Sequence, residues 1–228
     1  MGEIPSCACW VCDVTALEDP LLFSKGMAAL PWKERREKVE RFRFAEDRRR
    51  CLGAALLALH ALRQAGAEDL RIAVNEYGKP ALAGCQGIHF NLSHSGKLAV
   101  CAVSGHPVGA DVEAPGRDFE RIASYCFRQD EQEWMSRSEN RNRDFLRLWT
   151  RKESYVKLLG VGLSCPVSSF SVLPGGEKER EVTFSEWETD GYRICVCSFE
   201  KQPVRFLQWR IDRESIEWET VGESPFPR

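Results

Sequence analysis

The chain has no long apolar segment and no marked excess of charge of either sign. In its 228 residues the apolar run at 52–62 is broken by His60, whereas a membrane-spanning helix needs about 20 consecutive apolar residues. The net charge is −2, which is unlike the basic balance of nucleic-acid-binding domains. Residues 1–7 lack the basic start and apolar centre of a secretory signal. We therefore expect a cytoplasmic protein with neither a membrane nor a nucleic acid as its partner.

The ten cysteines do not follow the spacing of a metal site. Cys7, Cys9 and Cys12 form the closest cluster, but structural zinc sites favour paired Cys-x2-Cys units. Cys195 and Cys197 alternate within an apolar, strand-like run. We expect small buried hydrophobic side chains that stay reduced in the cytoplasm.

Apolar periodicity predicts a mixed α+β chain. Helices are predicted near residues 31–42, 45–65, 119–125, 129–135 and 143–159, and strands near 7–14, 70–74, 169–173, 183–188, 192–197 and 206–209. Residues 98–113 read as strand, turn, strand, which predicts a hairpin. A weak boundary near 105–109 divides the chain into an amino-terminal half, 1–106, and a carboxyl-terminal half, 107–228.

The helix predicted at 143–159 carries charges in an unusual place. At 100° per residue, Lys152 falls in the middle of the apolar stripe, Glu153 on its margin and Lys157 one turn further along. A buried ammonium is costly unless an anion meets it. Either a protein carboxylate or a bound anion must therefore neutralise this cluster.

Asp111 and Glu113 are two residues apart on a predicted strand, so their side chains leave the same face with Cα atoms roughly 7 Å apart. Paired carboxylates repel unless a cation lies between them, and Mg²⁺ prefers such hard oxygen ligands, completed by substrate phosphates. The alternative is two acids on a solvated strand face.

Two further segments could bind a phosphate. Ser93, His94 and Ser95 offer short-range donors, although a hydrogen-bonded loop histidine is equally compatible with this segment, and a Ser-His hydrolase would need an acid partner in space. Residues 31–50 contain nine Lys or Arg against five acids. Such a run is usually a solvated helix surface, yet the run at 48–50 suggests that one arginine points to a ligand.

Four motifs in order resemble the signature of the Sfp-type 4′-phosphopantetheinyl transferases: Tyr-Gly-Lys-Pro at 77–80, Phe-Asn-Leu-Ser-His-Ser-Gly at 90–96, Gly-Ala-Asp-Val-Glu at 109–113 and Trp-Thr-Arg-Lys-Glu-Ser-Tyr-Val-Lys at 149–157. The resemblance implies two pseudo-twofold-related α+β halves with coenzyme A between them. It also implies transfer of the phosphopantetheine arm from coenzyme A to a serine of an apo carrier protein, with release of adenosine 3′,5′-bisphosphate.

The resemblance also implies roles for individual residues. Asp111, Glu113 and Glu153 would hold Mg²⁺, and Glu153 would also act as general base. Lys157 would stabilise or protonate the leaving phosphate, while Lys152 and His94 would contact the pyrophosphate. The nucleotide and its 3′-phosphate would be held by Arg35, Lys38, Arg50, Lys79 and Ser93. The role of Glu131, a possible acidic active-site residue, stays open.

Two other functions use the same residues. A Mg²⁺-dependent phosphohydrolase would direct the carboxylates at a phosphate ester, and a non-catalytic module would only bind coenzyme A or a carrier. The carrier could be an acyl, polyketide or peptidyl carrier protein, and residues 122–127 form the candidate surface to receive it. A chain that contains both halves of the site is expected to work as a monomer.

Overall fold

The computed structural model describes residues 7–85, 87–116 and 119–216, and it confirms the predicted α+β class. The helices are α1 (Pro20–Ala29), α2 (Lys33–Arg41), α3 (Ala45–Gln64), α4 (Phe119–Cys126), α5 (Gln129–Ser136), α6 (Arg141–Leu159) and α7 (Lys178–Glu181). The strands are β1 (Ala8–Asp13), β2 (Ile72–Val74), β3 (Pro80–Leu82), β4 (His89–Ser95), β5 (Leu98–Ser104), β6 (Val108–Glu113), β7 (Thr183–Thr189), β8 (Tyr192–Ser198) and β9 (Arg205–Gln208).

The amino-terminal half packs one long helix on a four-stranded sheet. The strand order is β4-β5-β1-β9, and α3 covers one face of this sheet. The α3 side chains predicted as core are buried, with Leu52, Leu56, Leu59 and Leu62 all 0% exposed. The predicted leucine positions are therefore core, and every residue from Cys51 to Leu62 is buried as well, so this part of α3 is enclosed on all sides and not along one face only.

The carboxyl-terminal half repeats this plan with α6 on the antiparallel sheet β6-β8-β7. Phe145 and Leu148 of α6 are buried in its core. The helix ends at Gly160, whose φ of 71° is left-handed, as is common at helix carboxyl ends. The two halves are thus similar, each with a long helix packed on a β-sheet.

The predicted hairpin at 98–113 is wrong. Strand β5 pairs with β4 on one side and with β1 on the other, so both of its hydrogen-bonding edges are occupied. The chain crosses after β5 into the second sheet, where β6 pairs antiparallel with β8. Residues 89–95, for which no strand was predicted, form strand β4, and the hairpin of this region is β4–β5.

Two other local predictions differ from the structure. Helix α1 was not predicted, although its start signals are present: the Asp19 side chain accepts a hydrogen bond from the backbone N–H of Leu21, and Pro20 is the first helical residue. Residues 169–173 are not a strand. A short 3₁₀ turn, Val167–Ser169, precedes an irregular segment there.

The carboxyl-terminal strand returns to the amino-terminal sheet, where β9 pairs parallel with β1. The predicted carboxyl-terminal half, 107–228, therefore contributes one strand to the sheet of the other half. No helix in the described parts of the chain is both long and apolar enough to cross a membrane. Residues 1–6, on which the signal-peptide expectation mainly rests, lie outside the described residues, as do 217–228.

Candidate functional site

Asp111 and Glu113 lie on the face of β6 that packs against α6, and they are only 2% and 7% exposed. Gly109, on the same face, permits this packing. A Cβ atom at position 109 would lie 2.0 Å from the carbonyl oxygen of Ser154 and 2.4 Å from the backbone nitrogen of Leu158. A side chain at this position would push α6 away from β6, because packed interiors leave no room for such an overlap. Glycine at this position therefore brings the two carboxylates beside the helix.

Strand β4 supplies hydroxyl donors to both carboxylates. Ser93 Oγ donates to Asp111 Oδ1 at 2.8 Å, and Ser95 Oγ donates to Glu113 Oε2 at 2.8 Å. Asn91, two residues earlier on the same face, accepts a hydrogen bond from the backbone N–H of Ala110 at 2.9 Å. Side chains rather than a backbone ladder thus join the two sheets at β4 and β6. The Ser93 and Ser95 hydroxyls, which we expected to face a phosphate, orient the carboxylates instead.

One face of α6 completes the cluster, because Trp149, Glu153 and Lys157 are spaced four residues apart. Trp149 Nε1 donates to Glu113 Oε1 at 3.1 Å. Lys157 Nζ lies 2.6 Å from Asp111 Oδ1 and 2.9 Å from Ser93 Oγ. Glu153 sits on the same helix face between these two contacts.

The end of α4 lies near Glu153. Burial raises the pKa of the Cys126 thiol, and the Glu153 carboxylate raises this pKa further. The Glu153 carboxylate is therefore close enough to the end of α4 for its charge to act on the Cys126 thiol.

Asp111 and Glu113 suit a magnesium ion. Asp111 Oδ2 is buried and accepts no hydrogen bond from the described residues, so one hard oxygen remains for a cation. No three His, Cys, Asp or Glu side chains in the described segments approach closely enough to enclose a metal ion, so Asp111, Glu113 and Glu153 do not form a ready-made three-carboxylate cage. Proteins usually hold Mg²⁺ by one or two carboxylates together with substrate phosphates, and this arrangement fits that pattern.

Lys152 is not at the cleft, which corrects its predicted contact with pyrophosphate. It is 0% exposed, and its ammonium lies 2.8 Å from Glu131 Oε2. Its other donors bond the carbonyl oxygens of Val167 and Phe170 at 2.6 and 2.5 Å. All three ammonium hydrogens therefore have partners inside the protein. Of the two possibilities left open by the sequence, a protein carboxylate neutralises Lys152.

Glu131 acquires a structural role from the same geometry. Its Oε1 accepts the backbone N–H of Val172 at 2.9 Å, and its Oε2 accepts that of Arg128 at 2.9 Å. The side chain is 0% exposed. Glu131 thus joins α5, α6 and the segment after the 3₁₀ turn Val167–Ser169, and it is not an open active-site acid.

His94 lies on the same face of β4 as Phe90 and Leu92, and positive charges from both halves act on it. Desolvation lowers the pKa of His94, and the charges of Lys157, Arg50 and Lys38 lower it further. Arg50 Nη2 bonds Asp47 Oδ1 at 2.8 Å and Arg50 Nη1 contacts the Gly96 carbonyl oxygen at 3.4 Å. Three predicted phosphate-binding cations therefore share one electrostatic environment around His94.

A cavity of about 990 Å³ adjoins this cationic region. Arg35 and Lys38 of α2 line one side, and the β2–β3 hairpin lines the other. The apolar side chains of the hairpin and of the other walls that line the cavity include Trp32, Ile72, Val74, Pro80, Phe90 and Leu92. The cavity thus combines an apolar interior with a basic rim, which suits a flat base joined to phosphates.

Lys79 lies at the junction of the two halves. Its ammonium donates to the carbonyl oxygens of Leu158 and Val108 at 3.0 and 3.3 Å, and burial lowers its pKa to about 8. The structure therefore directs Lys79 toward the end of α6, whereas we expected this lysine to face the nucleotide.

Reasoning from the sequence missed the partners of the carboxylates. Trp149 and Ser95 hold Glu113, and Asn91 joins the sheets. A signal for Trp149 was present, since it precedes Glu153 by one helical repeat. The spacing of 91, 93 and 95 would have indicated one strand face, but only if the segment had been predicted as a strand.

Comparison with known proteins connects this geometry to one family. Residues 107–210 match the family model described as the 4′-phosphopantetheinyl transferase superfamily. Residues 21–106 match the model described as 4′-phosphopantetheinyl transferase, N-terminal. Both matched ranges contain residues of the cluster, since Ser93 and Ser95 fall in the second and Asp111, Glu113 and α6 in the first.

Individual proteins show the same similarity. The 4′-phosphopantetheinyl transferase Sfp of Bacillus subtilis is 34% identical over 180 residues, which span 72% of this chain and 80% of that protein. The 4′-phosphopantetheinyl transferase gsp of Aneurinibacillus migulanus is 36% identical over 180 residues, 73% of this chain and 75% of its own. HetI of Nostoc sp., another 4′-phosphopantetheinyl transferase, is 33% identical over 159 residues, 65% and 67% of the two chains.

Proposed function

This chain belongs to the 4′-phosphopantetheinyl transferase family, and we propose that its active site is the cluster where β4, β6 and α6 meet. The enzyme transfers the 4′-phosphopantetheine arm of coenzyme A to a serine of an apo carrier protein, leaving adenosine 3′,5′-bisphosphate. The observation that carries the proposed site is Lys157, whose ammonium bridges Asp111 of one motif and Ser93 of another. A lysine ammonium beside a pair of carboxylates is the arrangement expected at a site that binds both phosphoryl oxygens and a metal ion.

The 990 Å³ cavity is the proposed nucleotide site. Its apolar interior would take the adenine ring, and Arg35 and Lys38 at its rim would bind phosphate oxygens. Arg50 and His94 lie on the side toward Lys157 and would hold the 3′-phosphate. The low pKa of His94 keeps its imidazole neutral, so an incoming anion would favour the protonated ring.

Coenzyme A then lies with its pyrophosphate beside β6. Mg²⁺ held by Asp111 and Glu113 would neutralise the pyrophosphate charge and align the phosphorus for in-line attack. Trp149 Nε1 and Ser95 Oγ keep the Glu113 carboxylate in a fixed orientation. Fixed orientation matters because phosphoryl transfer depends on alignment and charge neutralisation more than on covalent catalysis.

Glu153 is the proposed general base. The serine oxygen forms a bond to the β-phosphorus, its proton passes to the Glu153 carboxylate, and the bond from this phosphorus to the bridging oxygen breaks with its electron pair. Lys157 stabilises the charge that develops on the leaving 5′-phosphate oxygen. No serine, histidine and aspartate triad is needed for this reaction.

The test uses an apo carrier protein, coenzyme A and Mg²⁺, with intact-mass spectrometry of the carrier. Glu153→Gln should lower the transfer rate by 100-fold or more, at the low end of about 10²–10⁴-fold for general bases, while coenzyme A binding by calorimetry changes little. The matched control is Glu133→Gln, an exposed acid of α5, which should keep full activity. Coenzyme A hydrolysis with an unmodified carrier would instead favour the phosphohydrolase. Nucleotide binding without any turnover would favour the non-catalytic module.

The carrier would dock at residues 122–127 of α4 and the following turn. Tyr125 is 77% exposed, and Cys126, next to it, feels the Glu153 charge. A serine presented over this surface would therefore arrive beside the proposed base. A panel of acyl, polyketide and peptidyl carriers would identify the partner, and Tyr125→Ala should raise the KM for the carrier but leave the KM for coenzyme A unchanged.

A cytoplasmic, monomeric enzyme fits these features. The described cysteines all have free thiols, and burial raises the pKa of Cys7 to about 11, which suppresses thiolate reactivity. The proposed nucleotide-binding, metal-binding and base residues all come from one chain. Analytical ultracentrifugation at the concentration used in the assays would test whether the protein is a monomer.

A further inference from the structure

The turn between β2 and β3 is rigidly organised by Asn75. Its Oδ1 accepts the backbone N–H groups of Tyr77 and Lys79 at 3.0 and 2.8 Å. The backbone closes the same turn, since Asn75 N donates to the Lys79 carbonyl oxygen at 3.0 Å and Gly78 N donates to that of Asn75 at 2.9 Å. These bonds fix which way the Asn75 amide group points.

The amide nitrogen of Asn75 points at the end of the proposed catalytic helix. Asn75 Nδ2 donates to the Gly160 carbonyl oxygen at 2.8 Å, while Lys79 Nζ donates to that of Leu158 at 3.0 Å. The last carbonyl groups of a helix lack partners within the helix. Two side chains of the hairpin turn therefore satisfy carbonyl groups immediately after Lys157.

Contact between the turn and the helix end is close. A Cβ atom on Gly160 would lie 2.9 Å from Lys79 Cδ and 3.4 Å from Asn75 Nδ2. Gly160 also has a φ of 71°, so glycine serves both the helix end and the approach of the turn.

The same hairpin forms a wall of the proposed nucleotide cavity. Ile72, Val74, Gly78 and Pro80 line this cavity, whereas Asn75 and Lys79 reach α6. One short hairpin thus touches the proposed nucleotide site on one side and the helix that carries Glu153 and Lys157 on the other. Ordering such an element by a ligand on one side stabilises its contacts on the other.

We propose that Asn75 is a positioning residue for the transfer reaction. Its Nδ2–H···O bond to Gly160 ties the nucleotide-side hairpin to the carboxyl end of α6, so that nucleotide binding fixes the position of Lys157. The proposal rests on the nucleotide cavity described above.

Two variants separate this bond from the turn. Asn75→Asp and Asn75→Ser both keep a side-chain oxygen that can accept the Tyr77 and Lys79 N–H groups, but neither can donate to Gly160 as the amide does. Because aspartate is negatively charged and serine is neutral, comparing the two variants distinguishes loss of the donor from an added negative charge near Lys79. Glu76→Gln, an exposed change in the same turn, is the control.

Both variants should lower kcat about 5-fold, the effect of one lost hydrogen bond of typical strength, with the KM for coenzyme A changed less than 2-fold. Hydrogen exchange gives the decisive readout. In the wild-type protein adenosine 3′,5′-bisphosphate should slow amide exchange at 72–82 and at 156–161. In both variants the protection at 156–161 should be lost while that at 72–82 persists.

Retention of both kcat and the protection at 156–161 in the Asn75 variants would overturn the proposal. So would a fall in thermal stability without any change in kcat per folded molecule, because that result describes a purely structural residue. If wild-type protein gains no protection at 72–82, the nucleotide cavity is wrong and the positioning role falls with it. If the nucleotide slows exchange at 72–82 in the wild-type protein, but the Asn75 variants keep wild-type kcat and protection at 156–161, only the positioning role is rejected and the nucleotide cavity stands.

Discussion

Lys152 and Lys157 show how one helix uses the same residue type in opposite ways. They are five residues apart, so at 100° per residue they point about 140° away from each other. Lys152 is 0% exposed and neutralised by Glu131, whereas Lys157 keeps 27% of its side chain exposed beside Asp111. The sequence showed that Lys152 was buried and needed an anion. It could not show which anion, because Glu131 comes from another helix.

His60 is a second buried ionisable residue, far from the proposed chemistry. Its ring stacks on Trp209 at a centroid distance of 4.8 Å and meets the edge of Trp10 at 4.7 Å. The side chain is 2% exposed. Burial, with a smaller effect of Arg63, lowers its pKa to about 3.

The protein should lose stability in mild acid through His60. The folded-state pKa lies below the ordinary value of 6.5, so between these values the unfolded chain binds a proton that the folded protein does not. The contribution of neutral His60 is therefore complete above pH 6.5 and falls as the pH decreases toward 3. Proton linkage predicts that the free energy of unfolding is about 2 kcal/mol lower at pH 5 than at pH 8 because of His60.

Urea unfolding of wild type and His60→Leu between pH 5 and 8 tests this effect. The variant should show a shallower loss of unfolding free energy below pH 6.5, whatever its stability at pH 8. His106→Gln, in the turn between β5 and β6, is the control and should follow the wild-type slope. Parallel pH profiles for wild type and His60→Leu would contradict the assignment.

At the scale of elements, the two long helices were predictable and strand pairing was not. Helices α3 and α6 each bury apolar residues that recur at helical spacing. This pattern is local, so it can be recognised from the sequence of the helix alone. The pairing of β5 with β4 and β1 depends on which edges are free in three dimensions. Period-2 patterning identifies a strand, but it does not name the neighbour.

The Glu131–Lys152 pair joins three elements, and breaking it should be costly. Lys152→Met would leave the Glu131 carboxylate buried with only backbone N–H partners. Removal of one partner from a buried ion pair typically costs about 3–5 kcal/mol. Urea unfolding should show this loss, while calorimetry should show unchanged affinity of the remaining folded protein for adenosine 3′,5′-bisphosphate.

The double variant Glu131→Gln with Lys152→Met separates charge from packing. A neutral glutamine can still accept a backbone N–H, so the double variant should be more stable than Lys152→Met alone. Nucleotide affinity that falls with Lys152→Met, in protein shown to be folded, would return Lys152 to the pyrophosphate site.

For the whole molecule, residue spacing predicted which side chains share a face, but it did not predict where the two sheets meet. Spacing alone indicates that Asp111 and Glu113 share a strand face and that Glu153 and Lys157 share a helix face. In the structure, the strand β6 and the helix α6 that carry them pack against each other. The placement of Ser93, Ser95 and Lys79 depends on where two sheets meet. That junction is a long-range property, which no local pattern encodes.

The last strand, β9, belongs to the sheet of the amino-terminal half, and this pairing has a consequence for folding. Strand β9 pairs in parallel with β1. Trp209, Ile211 and Ile216 are about 95–99% buried in the core that also contains α3. The amino-terminal sheet therefore obtains an edge strand and large apolar side chains from beyond the second half.

We expect residues 1–106 not to fold alone, because without β9 the β1 edge and the α3 core would be exposed to water. Burying three large side chains contributes about 1.5–3 kcal/mol each, comparable to the whole stability of a small domain. The isolated 1–106 fragment should unfold without a cooperative transition in circular dichroism. A fusion that appends residues 203–216 through a flexible linker should restore a sigmoidal transition, whereas the same fusion with Trp209→Ala and Ile211→Ala should not. Cooperative unfolding of 1–106 by itself would show that the carboxyl-terminal strand is dispensable for this half.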